Sequence, residues 1–434
     1  MTRIHRSVTH LAALAFGFAP TFVLAPTFAY AQGNASAAAT AMGGNYTAVA
    51  RNFNAVAWNP ANLGLPGNSR FSLALASQTA VGTGPITSQD LNEYAGLVVP
   101  QAVREAWMQK VTDNGGQNFA GDINITPLAL SIGRFALSAT TTLRASGDLP
   151  PAMAELLLFG NAGRTGIPQD YTLTDLAIDA NATTTFGLAY GRRVPLVPVG
   201  ELAIGVTGKY MLGHSAASMR DDGSTITSNP LQIIIDAPVV LTDTAEFVNG
   251  TGVGFDVGAT WQVGNLRASA VVHDIVSTFA WKTDNLYYLP VRATFDQDSS
   301  TSMVEGMLPL SSAPQAVRDE LRKRIEQSTV NPMLALGVAW TGVKRITLAA
   351  DLRQRFGDGI ELGPQTQIGL GAELRLIPFI PLRGGITTLG DGMRYSGGFG
   401  LEFGLFNLQA AAMLMAAEGR NDTGFGLTMS FGGR

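Results

Sequence analysis

From Thr172 to Gly191 apolar and polar residues alternate with a period of two, and this run constrains the fold more than any other feature of the chain. Leu176, Ile178, Ala180, Ala182, Phe186, Leu188 and Tyr190 fall on one parity, whereas Asp175, Asp179, Asn181, Thr183, Thr185, Gly187 and Gly191 fall on the other. Successive side chains of a strand point to opposite faces, so the run predicts one apolar and one polar or tiny face. Soluble strands are usually about five or six residues long, whereas a tilted bilayer-crossing strand needs about 9–11 and extends beyond the membrane. After residue 31 no run of 18 apolar residues occurs, which leaves no candidate transmembrane helix.

The pattern recurs along the chain, at Leu202–Leu212, Val253–Trp261, Leu334–Trp340, Ile346–Leu352, Ile368–Leu374 and onward to Phe425–Phe431, with earlier members at Phe71, Leu128 and Phe135. Parity slips near His273, which predicts a β-bulge. About fourteen strands result, an even number as single-chain bacterial barrels have. Short connectors near Gly133, Arg192–Gly200, Gly264, Gly342, Pro378 and Gly404 alternate with long ones, which places the short turns on the periplasmic side and the long loops outside. Tyr190, Trp261, Trp340, Phe403 and Phe431 close the outward faces beside the short turns, where an interfacial aromatic girdle belongs. The fold class read from these features is all-β, a 14-stranded antiparallel transmembrane β-barrel.

Composition excludes several other classes. Charged residues are 14% of the chain, about half the usual share, hydrophobic residues are 46%, and the net charge is −4. A disordered chain needs more charge and less apolar content, and a nucleic-acid binder needs a basic excess. There is no cysteine, hence no disulfide framework and no thiolate site. Neither a nucleophile elbow, a P-loop, a dinucleotide fingerprint nor a zinc-protease motif occurs, so no catalytic residue, metal or cofactor is assigned and a non-enzyme is expected. His214-Ser215 is the one pair that an outer-membrane lipid hydrolase could use, but adjacency does not supply the convergent geometry that a catalytic pair needs. Asp175, Asp179, Lys209, Asp256, Asp351, Arg353, Arg355, Glu373, Arg375, Arg383 and Glu402 fall on the inward parity and are expected to form a paired lumen lining.

The N-terminus reads as a Sec-type signal peptide over residues 1–31: Arg3 and Arg6, an apolar stretch from Leu11 to Leu24, and Ala29-Tyr30-Ala31 as cleavage site. Residues 32–68 form the next segment and 69–434 the barrel. Within 32–68, Ala41-Met42-Gly43-Gly44-Asn45-Tyr46-Thr47-Ala48-Val49-Ala50-Arg51 and then Ala57-Trp58-Asn59-Pro60-Ala61-Asn62-Leu63 carry the most specific motif. Pro60 biases Asn59 toward an extended conformation, and Asn59 and Asn62 can satisfy an open turn. The motif resembles the N-terminal plug of the FadL-type long-chain fatty acid transporters, with Asn62 where that family has glycine. It is also similar to the related PorV-like type IX secretion barrels and the TraF-like group.

The resemblance implies that this segment folds inside the lumen as a plug or gate built around Tyr46, Trp58, Asn59, Pro60, Ala61 and Asn62. It further implies passive uptake of a hydrophobic or amphiphilic, fatty-acid-like small molecule across the outer membrane of a Gram-negative cell. A PorV-like barrel would instead bind secreted proteins at its mouth. Gly424–Phe431 resembles the signal that barrels present to their assembly machinery, so that machinery and outer-membrane lipid are the expected partners. Pro100-Gln101-Ala102-Val103-Arg104-Glu105 and Pro314-Gln315-Ala316-Val317-Arg318-Asp319 open amphipathic helices in the long loops, with a third from Pro150 to Phe159. Their apolar stripes are expected to pack together and cover the mouth.

Two outcomes are expected. The purified chain should be β-rich by circular dichroism in detergent and migrate faster unheated than boiled, because a closed barrel leaves no edge to fray. Arginine at lipid-facing Val257 or Leu336 should damage folding, with Gly258→Ser on the opposite parity milder; equal tolerance on both faces would overturn the parity assignment.

Overall fold

The computed structural model describes residues 36–229, 231–296, 300–304, 307–357, 359–360, 364–390, 392–417 and 420–432. The signal peptide expected at residues 1–31, and the residues just after it, lie outside the described ones.

The period-two runs become fourteen long strands: β1 (Phe71–Gly84), β2 (Gln117–Ile132), β3 (Phe135–Leu149), β4 (Ala177–Val194), β5 (Glu201–Arg220), β6 (Gly250–Val263), β7 (Leu266–Ser277), β8 (Met333–Trp340), β9 (Ile346–Arg355), β10 (Thr366–Ile377), β11 (Ile380–Leu389), β12 (Gly392–Phe403), β13 (Phe406–Ala417) and β14 (Arg420–Gly432). Each pairs antiparallel with its sequence neighbours, and β1 pairs with β14 in the register Ser72↔Gly432 to Thr83↔Asn421. The sheet is therefore a closed antiparallel barrel without an open edge, the only sheet form in which a membrane-spanning backbone satisfies itself. Leu73, Phe255, Val257, Leu336, Leu370, Phe399 and Leu427 stand exposed on the outer face, while Ser72, Asp256, Ala335 and Thr428 are buried on the inner one. At the short-turn end Phe135 lies 4.8 Å from Tyr190, and the Trp261 indole donates to Val199 O at 3.0 Å.

The expected run from Thr172 to Gly191 is corrected at its start. Asp175 adopts a left-handed backbone with φ 74°, a conformation Asp tolerates, and this turn ends the alternation before the barrel is reached. Tyr171 and Thr172 pair with Ile226 and Thr225 in a separate five-stranded sheet built from the long loops, and β4 begins at Ala177. Asp175 is accordingly exposed in a connector and does not line the lumen. The expected bulge is present: the β6–β7 register shifts between Phe255 and Val257, opposite Asp274 at φ 49°.

Short helices occupy the chain before β1 and the long loops: α1 (Ala37–Ala41), α2 (Ala55–Trp58), α3 (Ser88–Glu93), α4 (Gln101–Asp113), α5 (Pro151–Phe159) and α6 (Gln315–Gln327). Thr87 caps α3 reciprocally with Asp90. Partial burial opposes ionisation of Asp90, but hydrogen bonds from Thr87 and the Lys110 ammonium 3.2 Å away prevail and hold its carboxyl below the usual range. Trp107, Met108 and Val111 of α4 bury against Ala154 and Phe159 of α5, and Arg104 donates to Leu158 O at 2.8 Å. Leu321 and Ile325 of α6 pack on Val240, Phe279, Trp281 and Leu286. The apolar stripes of α4 and α5 thus face each other, and that of α6 faces the long loops.

Val257 and Leu336 face outward, so arginine at either should cost about 2–4 kcal/mol if the site lies near the midplane, read as unfolding free energy in vesicles. Gly258→Ser is not the mild control that parity suggested, because a Cβ at Gly258 would overlap Asn59 Oδ1 inside the barrel. Thr185→Ser, inward but beside open space, should change stability by no more than about 0.5 kcal/mol.

Candidate functional site

Residues 36–65 run through the barrel interior, and nearly all of them are buried. Their small side chains let the backbone turn often. Ser36 caps α1 by accepting from Ala39 N, and Gly43 and Gly44 follow it with φ of 68° and 76°, values that favour glycine. The chain next turns helical at Asn52, as a 3-10 turn over Asn52–Asn54 that leads into α2, and Asn59 ends α2 in an extended conformation. Asn59 Oδ1 then accepts from Ala61 N at 3.0 Å, and Pro60 opens a 3-10 turn over Pro60–Gly64.

So short a set of turns leaves many backbone groups without partners of their own, and side chains of the inner wall supply them. Asp351 Oδ2 on β9 accepts from Tyr46 N at 2.9 Å, Thr47 N at 2.9 Å and Thr47 Oγ1 at 2.7 Å. Asn59 Nδ2 donates to Thr260 Oγ1 at 3.1 Å, Thr260 donates to Asn62 Oδ1 at 2.8 Å, and Asn62 Nδ2 donates to Thr47 O at 3.0 Å. Thr207 donates to Val56 O at 3.2 Å, Thr387 to Gly43 O at 2.7 Å and Arg267 to Ala48 O at 3.0 Å. Tyr46 and Trp58 meet edge to face at 5.7 Å, and the Arg353 guanidinium lies 5.7 Å from the Trp58 ring.

Contact this close requires the wall to lack side chains where the segment crosses it. A Cβ added at Gly191 or Gly205 would strike the Pro60 backbone, at Gly258 the Asn59 side chain, at Gly337 Thr47 and Ala48, and at Gly385 the Met42–Gly43 peptide. These glycines occupy inward positions of β4, β5, β6, β8 and β11.

The charged residues assigned to the lumen divide into separate groups. Glu373, Arg375, Arg383 and Glu402 form one network on β10, β11 and β12, with Glu373–Arg375 at 2.6 Å, Glu373–Arg383 at 2.7 Å and Arg375–Glu402 at 2.9 Å. Lys209 bridges Asp256 at 2.7 Å and Asp274 at 2.9 Å, and the Asp256 carboxylate also meets His273 Nδ1 at 3.1 Å. Asp351 and Arg353 hold the segment, and Arg355 lines the space beyond it. Asp179 pairs with Arg220 at 2.5 Å on the part-exposed extension of β4 and β5, away from both networks. Thr207, Thr260, Arg267, Asp274 and Thr387 went unassigned. Thr260 and Thr207 lie on the inward parity and could have been read from it, whereas Asp274 was hidden by the bulge. Both ring nitrogens of His214 are engaged, Nε2 with Thr184 Oγ1 at 2.7 Å and Nδ1 with Phe247 O at 2.9 Å, and neither reaches Ser215.

The segment divides the lumen. Toward the short turns lies a cavity of about 880 Å³ bordered by Tyr46, Arg51, Arg267, Glu373, Arg375, Arg383 and Glu402. Toward the long loops lies one of about 150 Å³ bordered by Val56, Thr140, Thr142, Thr185, Lys209, Met211, His273, Phe279, Met333 and Ile360.

Residues 56–413 match the family model described as "Family of unknown function (DUF5723)". No curated protein matches the sequence. Among solved structures, the chain is similar to the Ralstonia pickettii toluene transporter TbuX, at 14% identity over 93% of this chain and 99% of that one, with a TM-score of 0.50. It is also similar to a TodX deltaS2S3 mutant monoaromatic hydrocarbon channel, at 12% identity over 92% and 98%, with a TM-score of 0.51. A Pseudomonas aeruginosa FadL homologue aligns over 94% of this chain and all of that one, at 11% identity and a TM-score of 0.48. What the chain shares with TbuX and TodX is the fold of the barrel.

Adjacent glycines of β11 test the close approach. Gly385→Ala should displace the segment or destabilise the barrel by about 1–3 kcal/mol, as overpacking does. Gly384→Ala, whose Cβ would meet only Ser396 O at 3.8 Å, should behave as wild type. Equal unfolding midpoints for the two variants, with equal single-channel conductance, would contradict this packing.

Proposed function

We propose that this chain, which belongs to the DUF5723 family of unknown function, is an outer-membrane barrel for passive uptake of a hydrophobic or amphiphilic small molecule, with its N-terminal segment as the gate. The observation that carries the reading is a closed barrel whose lumen is interrupted by one hydrogen-bonded segment with a cavity on either side. A fourteen-stranded wall is too wide to be filled by its own side chains, since about eight strands already enclose a filled interior. Blocking and opening therefore fall to residues 36–65. The transport activities named for the similar TbuX and TodX barrels support the same class of cargo.

The outer cavity favours an amphiphile within that class. Val56, Met211, Phe279, Met333 and Ile360 offer apolar contact there, while Thr140, Thr142, Thr185, Lys209 and His273 offer polar contact across the same space. A site that holds an amphiphile needs apolar contact together with placed polar groups, and this wall offers both.

Two measurements test the reading. Deleting residues 32–62 should leave a heat-modifiable barrel with raised single-channel conductance in planar bilayers, and Asn59→Ala should give part of the same increase by removing the bond to Thr260. A folded deletion variant that conducts no more than the intact barrel would remove the gate. Separately, cells that express the intact protein should take up radiolabelled dodecanoate or toluene faster than cells without it; equal uptake of both probes would remove the cargo assignment.

A further inference from the structure

Outside the lumen, three arginines stand in a row at the short-turn end of neighbouring strands. Arg70 precedes β1, Arg134 lies in the β2–β3 turn and Arg192 is near the end of β4. Backbone bonds join the three strand ends: Gly133 N donates to Arg70 O at 3.0 Å and Gly191 N donates to Arg134 O at 3.1 Å. All three side chains are exposed. None forms an ion pair with a carboxylate among the described residues, whereas the next arginine, Arg193, pairs with Glu201 at 2.6 Å.

Each arginine has an aromatic neighbour on the membrane side. Phe71 follows Arg70, Phe135 follows Arg134, and Tyr190 precedes Arg192 by two residues on the same face of β4. Phe71 and Phe135 are exposed with exposed Ile132 paired between them, Phe135 and Tyr190 lie ring to ring, and Leu73 and Leu75 continue the exposed apolar surface beyond them. Aromatic side chains of membrane proteins mark the headgroup level. A guanidinium fork matches phosphate oxygens, and basic clusters at that level attract anionic lipid.

We propose that Arg70, Arg134 and Arg192 form a binding site for the phosphate of an anionic phospholipid in the leaflet at the short-turn end, whose acyl chains lie along Phe71, Leu73 and Phe135. The site depends on the membrane-spanning fold and not on what crosses the lumen.

The test is lipid selectivity of the full barrel reconstituted in dimyristoylphosphatidylcholine vesicles, with trace spin-labelled phosphatidylglycerol or phosphatidylcholine as the probe. The intact protein should hold phosphatidylglycerol about fivefold or more in preference to phosphatidylcholine. Arg70→Gln/Arg134→Gln/Arg192→Gln should bring that preference close to one. Arg164→Gln/Lys323→Gln, two exposed cations in the long loops, should leave it unchanged. Should the triple variant lose heat-modifiable migration, Arg134→Gln alone should lower the preference in part. No preference in the intact protein, a preference retained in both arginine variants, or an equal loss in the long-loop variant would each overturn the site.

Discussion

The chain segment inside this closed barrel is mostly buried, and it has neither a sheet nor a long helix to pair its amides. Every buried N–H and C=O that its short turns leave open must find a partner on the wall. Much of the inner surface follows from this constraint. Threonines at positions 207, 260 and 387 offer hydroxyls where the segment presents backbone or amide oxygens, Arg267 reaches the Ala48 carbonyl, and Asp351 accepts two amides and a hydroxyl at once. Asp351 makes the most of these contacts, with one carboxylate oxygen accepting all three.

The same constraint sets the shape of the wall. Main-chain contact between segment and strand requires the segment to lie closer than a side chain would permit, so the inward positions of β4, β5, β6, β8 and β11 carry glycine where it crosses. Glycine weakens a strand through its extra freedom when unfolded. A barrel tolerates that because ladder hydrogen bonds on both sides hold each strand. Part of the glycine-rich composition is thus a surface feature, a track fitted to the backbone that lies on it.

Much of this was legible in the residue order. Strands spanning a bilayer have a strict geometric period, so the wall, the girdle from Tyr190 to Phe431, the long and short connectors and the bulge near His273 could all be read from alternation. Alternation says nothing, however, about where a strand stops. Thr172 and Thr174 continue the parity of β4, yet Asp175 turns the chain away, and only a left-handed residue in three dimensions reveals it. Parity likewise distinguishes inward from outward but not empty from occupied, and Gly258 was misjudged for that reason: its open side is filled by Asn59, two hundred residues away in sequence. Parity groups charges on β9 to β12, but whether a carboxylate there meets an arginine, as Glu373 does, or a backbone amide, as Asp351 does, depends on what fills the lumen.

One contact has a consequence for the order of assembly. Ala37 N donates to Thr428 Oγ1 at 2.9 Å, which joins the beginning of the segment to the strand made last. The segment also rests on Asp351 and Thr387, so its docking surface is completed only by the final third of the chain. The N-terminal residues of a chain are made first, so the bond between Ala37 and β14 can form only once the last strand is present. Full seating of the segment is therefore coupled to closure of the wall, and a chain that lacked its last strand would have neither.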